Sequence, residues 1–252
     1  VQLSGCLKKV DPSHKIKHVF QGNIDLSLHK IVVDSDKIWG EAIANYHKII
    51  QKKLRQLDQV HQSDISFLRH IFKQKSINQY AVFVSNSLNA RLVNSFVGFS
   101  NPVNMYLNRG ASGIDGNIST ALGCAIGIEK RSLMILGDLA FLYDINALSI
   151  FKQSSSFIKI CVVNNDGGGI FSMLPFKDDQ QMLNKYFKMP HGQNIKYIAK
   201  QFFFDYHLVM KDDIHQFNFK QFLESDKNEI IEIKISDHVT LDHIKNCNSN
   251  FL

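Results

Sequence analysis

Short apolar runs alternate with longer amphipathic stretches over most of this chain. The runs YAVFVS (80–85), LMIL (133–136), FIKICVV (157–163) and EIIEIKI (229–235) are rich in β-branched, aromatic and other large apolar residues and predict strands. Shorter strands are expected at 103–107 and 207–210. Between them apolar positions recur at helical spacing, which predicts helices near 65–71, 88–97, 115–129, 144–153, 195–204 and 214–224. Ser63 or Asp64 supplies the N-cap of the first. Strands that alternate with helices of this length form βα units. The expected fold is therefore α/β, a doubly wound parallel sheet with helices on both faces. The phenylalanines at 202–204 and between 217 and 222 fall on helix faces and are expected in the core.

Residues 1–55 follow a different pattern. HKIKHVFQGN (14–23) and HKIVVDSDK (29–37) read as short strands, followed by a helix over about 38–57. The polar stretch QLDQVHQS (56–63) reads as a linker, so residues 1–55 are expected to stand apart from a main domain at 56–252.

Composition narrows the function classes. At 44% hydrophobic and 21% charged, 252 residues can bury a substantial core as one large domain, or one domain plus part of another. No stretch approaches the roughly 20 apolar residues of a membrane-spanning helix, and no signal peptide is visible. The net charge of +6 rests on 24 lysines against five arginines. The lysines are spread along the chain, as on a solvated surface, with no basic stripe interleaved with aromatics, so no nucleic-acid partner is expected. The four cysteines show no metal-ligand spacing, and Cys124 and Cys161 sit in apolar runs, as suits reduced thiols in a cytoplasmic protein. The eleven histidines also lack metal spacing; His191, beside Pro190 in a loop after the glycine turn, is expected at the surface, with an approach to the site as the other reading.

The candidate chemistry gathers at strand ends, where open parallel sheets bind ligands. LMIL runs into Gly137, Asp138 and Leu139; FIKICVV runs into Asn164, Asn165, Asp166 and three glycines; YAVFVS runs into Asn86 and Ser87. Mg²⁺ takes about six oxygen ligands, one or two from side chains and the rest from phosphate and water. Asp138 offers a carboxylate, Asn165 an amide oxygen and Gly167 a backbone carbonyl. Asp138 and Asn165 are 27 positions apart, about one helical crossover between neighbouring parallel strands, so both would face one crevice. Gly167, Gly168 and Gly169 would let the backbone approach a diphosphate, helped by the N-terminus of a following helix. Taken singly, an Asp after a strand is a helix cap and an Asn-Asp-Gly run a simple turn. Asp144 and Asp166 compete for the metal, Asp144 as a capping residue and Asp166 as a stabiliser of the turn. A Rossmann-type nucleotide site is disfavoured, because its glycine turn follows the first strand and opens a helix.

The Gly-Asp motif followed by Asn-Asn resembles the diphosphate-binding domain of thiamine-diphosphate (ThDP) enzymes. YLNRGASGIDG (106–116), LGDLAFLYDINAL (136–148) and VVNNDGGGIFSMLP (162–175) resemble one family among them, the 2-succinyl-5-enolpyruvyl-6-hydroxy-3-cyclohexene-1-carboxylate (SEPHCHC) synthases of menaquinone biosynthesis. The resemblance is close over about 78–175 and looser beyond, and Leu139 stands where many ThDP enzymes carry a third glycine.

That resemblance implies a metal site (Mg²⁺ or Mn²⁺) at Asp138, Asn165 and the Gly167 carbonyl. It implies cofactor contacts at Ser87, Gly137, Leu139, Gly168 and Ile170, with Ile114 supporting the bent cofactor. Arg91 and Arg109 would bind substrate carboxylates, and Phe171 and Leu174 would form an apolar wall. The implied reaction decarboxylates 2-oxoglutarate and adds the resulting unit to isochorismate. Asp166 occupies a position where Asn also occurs in the family. No catalytic residue is expected within this chain, since the activating glutamate of such enzymes lies on a separate pyrimidine-binding domain, normally of a partner subunit in a homodimer or homotetramer. Residues 1–55 would be the tail of a central domain. With no methionine ahead of Val1, the chain is expected to be the C-terminal part of a longer enzyme and inactive alone. Two other possibilities stay open: a different ThDP decarboxylase or carboligase, and a non-catalytic ThDP-binding module.

Overall fold

The computed structural model describes residues 2–4, 19–21, 37–60, 62–99, 102–153, 157–174 and 179–251. The chain divides into two compact units, 1–48 and 49–252. In the first, β1 (Gln2–Ser4) and β2 (Val19–Gln21) pair in parallel. The strand expected at 29–37 lies outside the described residues. Helix α1 (Lys37–Val60) begins in this unit and ends in the second.

The expected linker at 56–63 is a helix as far as Val60. Its polarity is that of one helix face. Leu54 and Asp58 are buried, and Asp58 meets the Arg69 guanidinium at 2.6 Å, while Arg69 also donates to the Phe96 carbonyl at 2.7 Å. A charged pair this deep survives only with its remaining donors satisfied.

The second unit alternates helices and strands, with two helices in succession between β6 and β7. In order come α2 (Asp64–Phe72), β3 (Tyr80–Val84), α3 (Leu88–Phe96), β4 (Asn104–Tyr106), α4 (Asn117–Gly127) and β5 (Arg131–Gly137). Then follow α5 (Asp138–Tyr143), β6 (Ile158–Asn164), α6 (Gln180–Leu183), α7 (Ile195–Gln201), β7 (Asp205–Met210), α8 (Phe219–Glu224), β8 (Glu229–Lys234) and α9 (Asp237–Phe251). Ser63 caps α2, its hydroxyl accepting from Ile65 N. Two expectations need correction. The helix expected at 144–153 is a 3₁₀ segment (Ile145–Gln153), because an α-helix already starts at Asp138. That expected over 214–224 keeps only 219–224, and the C-terminal helix α9 was not anticipated.

All six strands are parallel, in the order β4-β3-β5-β6-β8-β7. Alternate side chains divide between two cores. Val82, Val84, Leu133, Ile135, Cys161 and Ile231 face Phe67 and Leu68 of α2, Leu92 of α3 and Phe222 of α8. Phe83, Met134, Leu136, Ile160 and Val162 face Ile118 and Leu122 of α4, Phe141 of α5 and Ile195 of α7. Helices thus cover both faces, as the sequence pattern predicts. Phe204, Phe219 and Phe222 are core as expected, but Phe203 is 78% exposed, turned outward by a left-handed backbone (φ 63°) beyond α7. Cys161 is buried and Cys124 half-buried.

A second buried charge cluster centres on Lys159. Lys159, near the start of β6, donates to Ser225 Oγ (2.6 Å), the Lys227 carbonyl (2.7 Å) and Glu229 Oε1 (2.6 Å). This anchor sits at the amino ends of β6 and β8, leaving the carboxyl ends for chemistry. No helix among the described residues is long and apolar enough to cross a membrane.

Candidate functional site

The chain leaves the paired strands β3 and β5 in opposite directions, from β3 to the edge strand β4 and from β5 to β6. Such a switch point opens a crevice beyond the carboxyl ends. A cavity of about 180 Å³ lies there, walled by residues 85–89, 137–140 and 167–171 with Asp64, Ile114, Val163 and Asn165.

Asp138 leaves β5 directly into this crevice and is 2% exposed. Its Oδ2 accepts from Gly167 N at 2.8 Å and Asn165 N at 3.1 Å, and its Oδ1 accepts from Leu139 N at 2.7 Å. The carboxylate thus sits on the first residue of α5 and ties down the turn after β6; Gly137 is the N-cap of α5, so Asp138 serves the turn and does not cap the helix. Burial pushes the Asp138 carboxyl up, although bonds from Gly167, Leu139 and His191 oppose the shift. A buried carboxylate in that condition gains from a nearby cation.

The Asn165 amide oxygen is buried without a hydrogen-bond partner. Native proteins rarely leave such an acceptor unmet. Carboxylate, orphaned amide oxygen and the Gly167 carbonyl, which accepts from Gly169 N at 3.0 Å, would make an oxygen-only donor set of the kind that suits Mg²⁺ or Mn²⁺ with phosphate and water completing the shell. No cluster of three His, Cys, Asp or Glu able to hold a metal occurs among the described residues.

The glycines of the turn are required by the protein itself. Gly167 has φ +132°, and a Cβ there would stand 2.2 Å from the Lys188 carbonyl, which accepts from Gly168 N at 2.6 Å. At Gly169 a Cβ would meet the Asn165 amide at 2.4 Å. The element that follows is a five-residue 3₁₀ turn (Gly169–Met173), where an α-helix N-terminus was expected. Asp237 at the start of α9 holds this turn, accepting from Ser172 Oγ (2.5 Å) and pairing with Lys188 (2.6 Å).

The competing acids have other partners. Asp144 accepts from the Ile118 and Ser119 amides and caps α4. Asp166 Oδ1 accepts from His191 N (3.0 Å) and Gly192 N (2.8 Å), and these bonds help hold its carboxyl below the usual range. His191 is the main departure from expectation. Its side chain is only 8% exposed and its Nε2 lies 3.3 Å from Asp138 Oδ2.

Ser87, Ile114, Gly137, Leu139, Gly168, Ile170 and Phe171 all wall the cavity. Ser87 does so with strained backbone (φ 69°, ψ −131°). Leu174, half-buried, ends the 3₁₀ turn outside that wall. Arg91 is exposed on α3, about one turn beyond Leu88. Arg109 is exposed too, but its Nη1 donates to Asn86 Oδ1 at 3.2 Å. The Asn86 amide in turn donates to the Asn108 and Gly113 carbonyls (2.7 and 2.9 Å), pinning the 108–113 loop to the end of β3. Asp64, Asn86 and His191 are site residues whose roles the sequence did not disclose. Asn86 carries a signal as a polar residue at a strand end, and His191 as a residue in the loop after the glycine turn.

Comparison with known proteins agrees with this geometry. Residues 88–233 match the family model described as thiamine pyrophosphate enzyme, C-terminal TPP binding domain. The chain is 32% identical over 242 residues to 2-succinyl-5-enolpyruvyl-6-hydroxy-3-cyclohexene-1-carboxylate synthase of Shewanella baltica, covering 94% of this chain and 41% of that protein. The synthase of the same name from Shewanella oneidensis is 30% identical over 244 residues, with 94% and 41% covered. The chain thus spans about two fifths of the length of the curated relatives it matches. With a cavity at the switch point of a parallel sheet, and more than half its residues matching that model, this chain belongs to the thiamine pyrophosphate enzymes and carries their C-terminal TPP-binding domain.

Proposed function

We propose that this chain holds the diphosphate end of ThDP through a divalent cation in a SEPHCHC synthase of menaquinone biosynthesis. The observation that carries the reading is the unpartnered Asn165 amide oxygen beside the buried Asp138 carboxylate. Asp138, Asn165 and the Gly167 carbonyl would hold Mg²⁺, while Ser87, Ile114, Leu139, Gly168 and Ile170 would contact the cofactor. The cavity of about 180 Å³ is smaller than the roughly 300–1,000 Å³ of a complete small-molecule site, which supports its taking one end of a larger ligand.

When bound, ThDP supplies the carbanion chemistry that decarboxylates a 2-oxo acid. Around it this chain's own residues bind, orient and exclude water. Arg109 and Arg91 would take substrate carboxylates of 2-oxoglutarate and isochorismate, in the bidentate manner arginine favours. Phe171, packed on Phe187 at 5.6 Å, would give with Leu174 a dry wall. The glutamate that activates the cofactor would come from the pyrimidine-binding domain of a partner subunit, in a homodimer or homotetramer. Residues 1–55 would belong to a central domain and 56–252 to the diphosphate-binding domain.

Calorimetric titration with ThDP and Mg²⁺, for the wild type and Asp138→Ala, tests this. Metal-dependent binding that disappears in the variant supports the site. Binding that is indifferent to metal and to Asp138 sinks it.

A further inference from the structure

The two oxygens of Asp138 are unequally occupied. Oδ2 faces three N–H groups, from Asn165 N (3.1 Å), Gly167 N (2.8 Å) and the His191 ring (3.3 Å). Among the described residues Oδ1 accepts only from Leu139 N (2.7 Å), which leaves it a further lone pair. The tautomer of His191 follows from its other nitrogen. Nδ1 accepts from Gln193 N at 2.9 Å, so in the neutral ring the proton sits on Nε2, toward Asp138.

The loop carrying His191 is held from the turn itself. Asp166 Oδ1 takes both the His191 and the Gly192 amides, and Gly192 has the left-handed backbone (φ +57°) that the bend requires. The Asp166 side chain is 52% exposed, on the outer side of the turn. One acidic residue of the Asn-Asp-Gly motif therefore clasps the loop, and the loop delivers an imidazole back to Asp138.

We propose that His191 is a positioning residue for the metal site: by filling Oδ2 of Asp138 it directs Oδ1 to the cation, and Asp166 serves as the clasp that keeps it there, not as a ligand. This rests on the reading of the cavity as a metal-diphosphate site. Partners outside the coordination shell orient ligands in this way, and their loss commonly weakens metal binding about 10–100-fold.

The test is Mn²⁺ affinity, read from the free-ion EPR signal of the full chain with ThDP present. His191→Ala should weaken Mn²⁺ binding at least about tenfold. His191→Gln, which keeps an N–H near the Nε2 position, should stay close to the wild type. Asp166→Ala should weaken binding as well, whereas Asp166→Asn, which keeps the accepting oxygen without the charge, should not. Unchanged or tighter binding in His191→Ala overturns the proposal. So does a loss in His191→Gln as large as in His191→Ala, or a loss in Asp166→Asn matching Asp166→Ala. Asp138→Ala separates the two levels: if wild type and Asp138→Ala behave alike, the metal reading itself fails.

Discussion

Gly167 N donates to Asp138 Oδ2 at 2.8 Å, joining residues 29 positions apart in sequence. The strand end that offers the carboxylate and the turn that offers the backbone carbonyl are one hydrogen-bonded structure. Asp138→Asn should therefore do two things. It should reduce metal-dependent ThDP binding more than tenfold, because the charge is gone. It should also lower folding stability by about 1–3 kcal/mol, since the amide cannot accept from Leu139 on one side while its oxygen serves the turn on the other. Calorimetry reads the first and urea unfolding the second; loss of binding at unchanged stability would contradict the coupling.

Two glycine-to-alanine substitutions should move stability in opposite directions. At Gly167 the backbone stands at φ +132°, and a Cβ would lie 2.2 Å from the Lys188 carbonyl. Strain and displacement of the 187–189 segment should cost about 2–3 kcal/mol. At Gly123, exposed within α4, a Cβ meets nothing within 4 Å. There alanine should gain about 0.5–1 kcal/mol from its lower backbone entropy. Equal thermal shifts for the two would refute this.

Asp64 provides a pH dependence. It is buried against the cavity wall, its Oδ1 accepting from Thr240 Oγ1 (2.8 Å) and Ile65 N (3.0 Å). Burial pushes its carboxyl from 3.8 up to about 6, despite these bonds. With the folded value raised, the folded protein holds its proton more tightly than the unfolded chain. The contribution is most favourable below the unfolded value near 3.8 and is lost as pH rises through about 6. Above that the ionised group costs on the order of 3 kcal/mol. Asp64→Asn keeps the accepting oxygen, so in the metal-free protein it should be more stable than wild type at pH 7–8 and equal to it near pH 4. Parallel stability curves across that range would count against it.

What the sequence disclosed follows from where its signals sit. Asp138, Asn165 and the glycines are legible because each adjoins a strong strand pattern, and parallel strands of one sheet bring their ends together. His191 is legible only as a residue near the glycine turn, because its contact with Asp138 spans 53 positions and depends on a loop whose path Asp166 fixes. The polar stretch at 56–60 read as a linker because Asp58 is buried through a partner, Arg69, that local pattern cannot supply. The helix expected at 144–153 is a 3₁₀ segment because the α-helical turns of this crossover come earlier, at Asp138–Tyr143 immediately after β5. Phe203 was misjudged because an aromatic just past a helix end takes its direction from one left-handed residue, not from helical periodicity.

Arg109 and Arg91 should separate in a whole enzyme of this kind. Arg109 is tethered, its Nη1 on Asn86 Oδ1 at 3.2 Å, and Asn86 itself pins the loop to β3 at the mouth of the cavity. Arg91 is exposed on α3 with no ion pair among the described residues. A preorganised guanidinium loses less freedom on gripping a carboxylate. Arg109→Ala should therefore raise KM for the 2-oxo acid by about 10–100-fold, the worth of a charged hydrogen bond, with ThDP affinity unchanged. Arg109→Lys should recover little, because an ammonium cannot make the paired contact. Arg91→Ala should cost less in the same assay. If Arg91→Ala is the more damaging, or if Arg109→Ala lowers ThDP affinity instead, Arg109 serves the loop and not the substrate.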